Sequence, residues 1–193
     1  VYMVEGEGFH EFLEGIWDAM KTSIKNGIST RGTLPGPLKL KRKAPDLYDF
    51  DPDNEVPEIT ENRLVSSYAF AVSEENASGG IIVTAPTCGA CGVLPAVLYY
   101  MLEKHSFITE DQIIDSLAVA GLIGNLIKHN ASISGAVAGC QAEIGSACAM
   151  AAAAHATLFH LKLDQVEYAA EIAIEHHLGL TCDPVNGYVQ IPC

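Results

Sequence analysis

The sequence is poor in aromatic residues and poor in positive charge. Phe, Trp and Tyr make up 7% of its 193 residues, with a single Trp, and 11 Lys and Arg face 24 Asp and Glu for a formal net charge of −13. Without a basic surplus the chain has little with which to neutralise phosphates, which argues against sequence-independent nucleic-acid binding. The negative charge itself asks for no explanation beyond solubility. Six cysteines are too few for a disulfide scaffold at this length. No positively charged segment followed by an apolar run opens the sequence, so nothing marks it as secreted. The expected setting is cytoplasmic, where cysteines more often bind metal or react than form bridges. Long apolar runs are missing as well. The uncharged run Ser116 to Ile127 is too short for a bilayer, which takes about 20 apolar residues, and the longer Ala-rich stretch is interrupted by Gln141, Glu143 and His155. No membrane partner is expected.

What is present is a 49% hydrophobic content carried mostly by small side chains, enough to bury a sizeable core in one domain of ordinary size. The stretch Asn130 to His160 is almost entirely Ala, Gly, Ser and Cys, and Glu143 is its one formal charge between Ala131 and Leu158. Small residues let helix backbones approach closely, so a buried central helix is expected there. From Phe9, the residues Phe9, Phe12, Leu13, Ile16, Trp17, Met20 and Ile24 recur at helical spacing and predict an amphipathic helix ending near Asn26-Gly27. Thr60 reads as the N-cap of a helix over 61–76. Thr109 with Gln112, and Asp164 with Glu167, read as capping boxes, the second opening a helix that stops at Gly179. Between Ser29 and Glu58, five prolines exclude a long helix, and the basic run (Lys39, Lys41, Arg42, Lys43) and acidic run (Asp46 to Glu55) read as a solvated face or as groups beside an anionic substrate or a second domain. Ile81 to Thr84 could be a short strand or an extended entry. With seven helices, no long alternating pattern and no internal repeat, the fold class is all-α: a compact multi-helix domain around a central Ala/Gly-rich helix, residues 1–193 forming one domain.

Two features carry chemistry. Thr87, Cys88 and Gly89 follow Pro86 and lead into a helical pattern, a turn whose free helix-start amides suit a carboxylate or simply form an ordinary helix start. Cys88 and Cys91 form a C-x-x-C, but no thioredoxin-like pattern surrounds it and no second pair completes a zinc site. Cys140, Cys182 and Cys193 are spaced C-x41-C-x10-C, which matches no ferredoxin pattern, so spacing alone leaves buried unreactive thiols as the plainer reading.

The motifs NASISGAVAGCQAE at 130–143, EHHLGLTCDPV at 175–185, VQIPC at 189–193, APTCGACG at 85–92 and LPGPL at 34–38 resemble the iron-sulfur-dependent L-serine dehydratases, and more narrowly their α (catalytic) domain. The resemblance implies deamination of L-serine to pyruvate and ammonia without pyridoxal phosphate. It also implies a [4Fe-4S] cluster on Cys140, Cys182 and Cys193 with one iron left open, and substrate contacts near Thr87, Cys88 and Gly89. Many members carry Asn at the position of Cys88, and some an acid at that of Val137. His129, His155, His176 and His177 are candidates for the base, His176 foremost because it is close to Cys182. Family members run on past the equivalent of Cys193 and include a β domain with a Ser-Ser-His-Thr motif. The chain is therefore expected to be a fragment, inactive alone, of a protein that is homo-oligomeric at full length. Two alternatives stay open: a cluster-free helical interaction or regulatory module, and the same chemistry on L-threonine, since one methyl discriminates by only about 1–3 kcal/mol.

Overall fold

The computed structural model describes residues 1–51, 53–182 and 184–188. Among these residues there are nine helices and no strand, only two isolated bridges, and no helix is long and apolar enough to cross a membrane. Ile81 to Thr84 takes the extended, unpaired alternative.

A single turn, α1 (Tyr2–Glu5), precedes α2 (Phe9–Ser29). On α2 the residues Leu13, Trp17, Met20 and Ile24 form the buried stripe that a 3.6-residue period demands, while Phe12, expected on that face, is 60% exposed. The helix does not stop at Gly27. That glycine is buried within it, against the backbone of Ala71, and the absence of a side chain is what lets α2 and its neighbour touch.

The proline-rich segment is pinned, not simply solvated. A short helix α3 (Ala44–Tyr48) tolerates Pro45 in its first turn, where no backbone donor is needed. The buried Glu74 carboxylate accepts the N–H groups of Lys43 at 2.5 Å and Ala44 at 3.4 Å. Arg42 is buried in an ion pair with Glu75 at 3.0 Å. Glu74 and Glu75 belong to α4 (Pro57–Ala77), which starts at Pro57 and not at Thr60. The Thr60 side chain is a first-turn hydroxyl that donates to Val56 O, and Pro at the first helical position with Val56 extended sets the start.

Next come α5 (Val93–Lys104) and α6 (Glu110–Asn130), the latter opened by the expected Thr109–Gln112 capping box. A single turn α7 (Gly135–Ala138) leads into α8 (Cys140–Leu158), and α9 (Leu163–Glu175) closes the bundle. Helix α8 packs against α5, α6 and α9 together, and Ala147, Ala149, Ala151, Ala153, Ala154 and Ala156 are buried around its circumference. It is the central helix the small residues predicted. The α9 start differs from expectation: Gln165 Oε1 accepts the Lys162 N–H at 3.0 Å, so the helix is capped at Lys162, two residues before the Asp164 of an Asp164–Glu167 box. It ends at Glu175, and turns carry the chain through Gly179.

Candidate active site

The head of α8 is built by a backbone reversal. Gly139 has φ 80° and ψ 168°, a region open chiefly to glycine, and it separates α7 from Cys140, the first residue of α8. Cys140 is partly buried. Its neighbour Gln141 ties three segments: Nε2 donates to Ala138 O at 3.0 Å, and Oε1 accepts the Gly179 N–H at 2.7 Å. Gly179 lies three residues before Cys182, also partly buried, so one side chain couples the segment carrying one thiol to the segment carrying the other. The approach repeats one turn down, where a Cβ on Gly145 would meet His177 Cβ at 3.3 Å.

A cleft of about 500 Å³ opens beside this junction, between the ends of α6, α8 and α9. Leu126, Ile127, Ile174 and Leu178 make its walls apolar, and Ser132 and Gln141 supply polar edges.

The Thr87–Gly89 segment arrives from the other side. It is not a helix N-terminus: α5 begins at Val93 with Gly92 as its cap, so the free helix-start amides lie four residues further on. Thr87 to Gly89 form a bend held by Asn76 Nδ2, which donates to Cys88 O at 3.0 Å, and by Cys91 N–H to the same carbonyl at 3.4 Å. The Thr87 Oγ1 is buried without a hydrogen-bond partner. Gly89 lies against the carboxylate of Glu143, one turn along α8 from Cys140. Three segments far apart in sequence thus meet at one end of the bundle.

His176 is exposed, with Nδ1 2.8 Å from Ile172 O, and His177 is partly buried, with Nδ1 2.6 Å from Ala173 O. A carbonyl only accepts, so both rings carry their proton on Nδ1 and leave Nε2 as the basic atom. Burial, and then the neighbouring His105, push His155 below the usual histidine range, inside the bundle. Burial pushes the Cys148 thiol up, as befits a small core residue. Val137 on α7 is 78% exposed. Cys193 lies outside the described residues, and among those described no three His, Cys, Asp or Glu side chains gather as a metal site. Sequence reasoning gave no role to Gln141 or Glu143. The one available signal was that Glu143 is the sole charge in an otherwise neutral stretch.

Known proteins match over nearly the whole chain. The family described as serine dehydratase alpha chain matches residues 6–193. The L-serine dehydratase of Haemophilus influenzae is 50% identical over 192 residues, covering 97% of this chain and 42% of that protein. The L-serine dehydratase of Streptomyces coelicolor is 49% identical over 183 residues, with 95% and 40% covered, and L-serine dehydratase TdcG of Escherichia coli is 51% identical over 187 residues, with 92% and 40% covered. The chain spans roughly two fifths of the length of these curated relatives. With the family matched from residue 6 to the last residue, the chain belongs to the serine dehydratase alpha chain family.

Proposed function

We propose that this chain is the cluster-bearing part of an enzyme that deaminates L-serine to pyruvate and ammonia. The observation that carries the proposal is the convergence of the Cys140 helix head, the 176–182 segment and the Thr87–Gly89 bend, with the Gln141–Gly179 hydrogen bond at its centre. The relatives named above all bear the name L-serine dehydratase.

The reading of an iron-sulfur cluster is supported by donor chemistry, since thiolates are the ligands such clusters take. Two thiols sit on segments joined by one hydrogen bond, and the space beside Gly139 is open, a Cβ there meeting only Gln141 atoms at 3.8–3.9 Å. Cys140 and Cys182 would hold the cluster with Cys193, the third thiol. A [4Fe-4S] cluster with three protein thiolates supplies, when bound, a Lewis-acidic iron suited to the substrate hydroxyl. The unpartnered Thr87 hydroxyl and the bend at Cys88 and Gly89 are assigned to the substrate, and His176, through Nε2, to removal of the α-proton. Loss of that proton and of the hydroxyl as water leaves aminoacrylate, which tautomerises to an imine and hydrolyses to pyruvate and ammonium. The scheme uses no pyridoxal phosphate.

The test is anaerobic reconstitution of the full-length protein with iron and sulfide, followed by metal and sulfide analysis, the sulfide-to-iron charge-transfer absorbance and a pyruvate assay. Wild type is expected to take up the cluster and turn over L-serine, and Cys140→Ser and Cys182→Ser to lose both. A wild type that binds no iron, or a Cys140→Ser variant with full cluster and full turnover, overturns the proposal and favours a helical interaction module. kcat/KM for L-serine against L-threonine decides the substrate.

A further inference from the structure

Glu143 is seated in a way that its own helix does not require. An acid in the first turn of α8 is stabilised by the helix N-terminus wherever it points. Here a Cβ on Gly89 would come within 2.8 Å of Glu143 Oε2, and a Cβ on Gly135 within 2.9 Å of its Oε2 and Cδ. Neither glycine has a positive φ, so neither backbone needs glycine for its conformation. What both provide is room for a carboxylate pressed between two segments.

That carboxylate lacks a counterpart. Among the described residues Glu143 has no ion pair and no hydrogen bond, although it is partly buried. Two residues before Gly89, the Thr87 hydroxyl is buried and unpartnered as well. A partly buried anion packed on the segment that carries an unsatisfied hydroxyl is costly unless a ligand with N–H donors completes it. Cys140 is the i−3 neighbour of Glu143, on the same face of α8.

We infer that Glu143 binds the α-ammonium group of the substrate and so selects 2-amino-3-hydroxy acids over 3-hydroxy acids without nitrogen, an inference that rests on the deaminase reading above. The carboxylate takes the one positive group of the zwitterion and fixes the α-carbon between the Thr87–Gly89 bend and the head of α8. The two glycines keep that carboxylate in place. Glu143 is therefore a specificity-determining binding residue, and the base lies elsewhere.

The experiment compares the cluster-loaded, full-length wild type with Glu143→Gln, which keeps shape and removes charge. The probes are L-serine, as substrate, and 3-hydroxypropanoate, which lacks the ammonium, assayed as a competitor. Expected is a rise of about 10- to 100-fold in KM for L-serine, the range for losing a hydrogen bond to a charged group. The inhibition constant for 3-hydroxypropanoate and the iron and sulfide content stay at wild-type values. Glu143→Asp recovers part of the loss. Gly135→Ala is the second variant: the nearest atoms its Cβ would meet are those of the flexible Glu143 side chain, not backbone, so the same selective loss is expected in a folded protein. Titration calorimetry with L-alanine, which keeps the ammonium and cannot eliminate, reads the affinity without turnover. Parallel changes for both probes, no change for either, or loss of the cluster in Glu143→Gln overturn the inference. A wild type that binds no iron and turns over no serine sinks the deaminase reading itself, before any variant is compared.

Discussion

Gly27→Ala probes the closest helix contact in the bundle. A Cβ at residue 27 would lie 2.5 Å from Ala71 Cα and 2.6 Å from Ala71 C, atoms of a helix backbone that no side-chain rotation can move. Carbon atoms rest at about 3.5–4.0 Å, so α2 and α4 must part by roughly 1 Å. Ile24, Tyr68 and Val72, all buried within one turn of the contact, lose packing when they do. Overpacking of this kind costs about 1–3 kcal/mol, and a rigid backbone obstacle puts it at the upper end. Replacing a mid-helix glycine by alanine returns about 1 kcal/mol of helix propensity. The net loss is about 2 kcal/mol, or about 4–8 °C in Tm for a chain of this size. Gly121→Ala, at an exposed position of α6, is the control: nothing lies within 4 Å of its Cβ, so only the propensity gain remains, and Tm rises by about 2–4 °C. Thermal and denaturant unfolding followed by far-UV circular dichroism measures both. Equal signs for the two substitutions would refute the reasoning, because propensity is common to both and only the contact differs.

Three further outcomes follow from buried polar groups. Trp17, the single tryptophan and 1% exposed, donates its indole N–H to Glu110 Oε2 at 2.5 Å; Glu110→Ala leaves that donor unmet, costs about 1–3 kcal/mol and shifts Trp fluorescence, whereas unchanged stability would mean that water replaces the carboxylate. Burial pushes Glu74 above the usual carboxylate range despite the two N–H groups it accepts. The folded state therefore holds its proton to higher pH than the unfolded state does, and stability falls as pH rises from about 4.5 through the raised value. Glu74→Gln is expected to remove that slope, and parallel profiles for variant and wild type would contradict this. His155 works in the opposite direction: with its folded value below 6.5, the unfolded state binds the proton first, so stability falls as pH drops below 6.5. His155→Leu flattens that acid-side slope, and NMR titration of His155 at or above the ordinary histidine value would refute the assignment.

Helices α6 and α8 were legible because their signals are local. A capping box satisfies donors within four residues, and an uncharged run of small side chains has few places to go except the centre of a bundle. Misplaced boundaries share a physical cause. Thr60 has the chemistry of a cap, but Pro57 and the extended Val56 set the start of α4 one turn earlier. The Asp164–Glu167 pair has a capping sequence, yet Gln165 reaches back to Lys162 first. Arg42 sits in a run of charges that reads as a solvated face, and its burial depends on Glu75, 33 residues away, a distance no local pattern encodes. Of the site, the cysteines of the α8 head and of the 176–182 segment could be named from sequence motifs. The Gln141–Gly179 hydrogen bond joining them spans 38 residues and could not.

Glycine illustrates why the remainder was hidden. Gly139 needs a φ of 80°, Gly27 needs the absence of a Cβ beside another backbone, and Gly89 and Gly135 need neither conformation nor backbone contact but space for the Glu143 carboxylate. In sequence all four are one letter, and its default meaning, a break in regular structure, is right for Gly139 and wrong for Gly27. The distinction lies in what stands opposite each residue, which only the packed bundle determines. Opposite Gly89 and Gly135 stands the one charge in the Ala-rich stretch, one turn from Cys140. Had those two positions carried alanine, the backbone could have kept its course while the carboxylate moved. The placement of that charge is thus a property the fold maintains through what it leaves out.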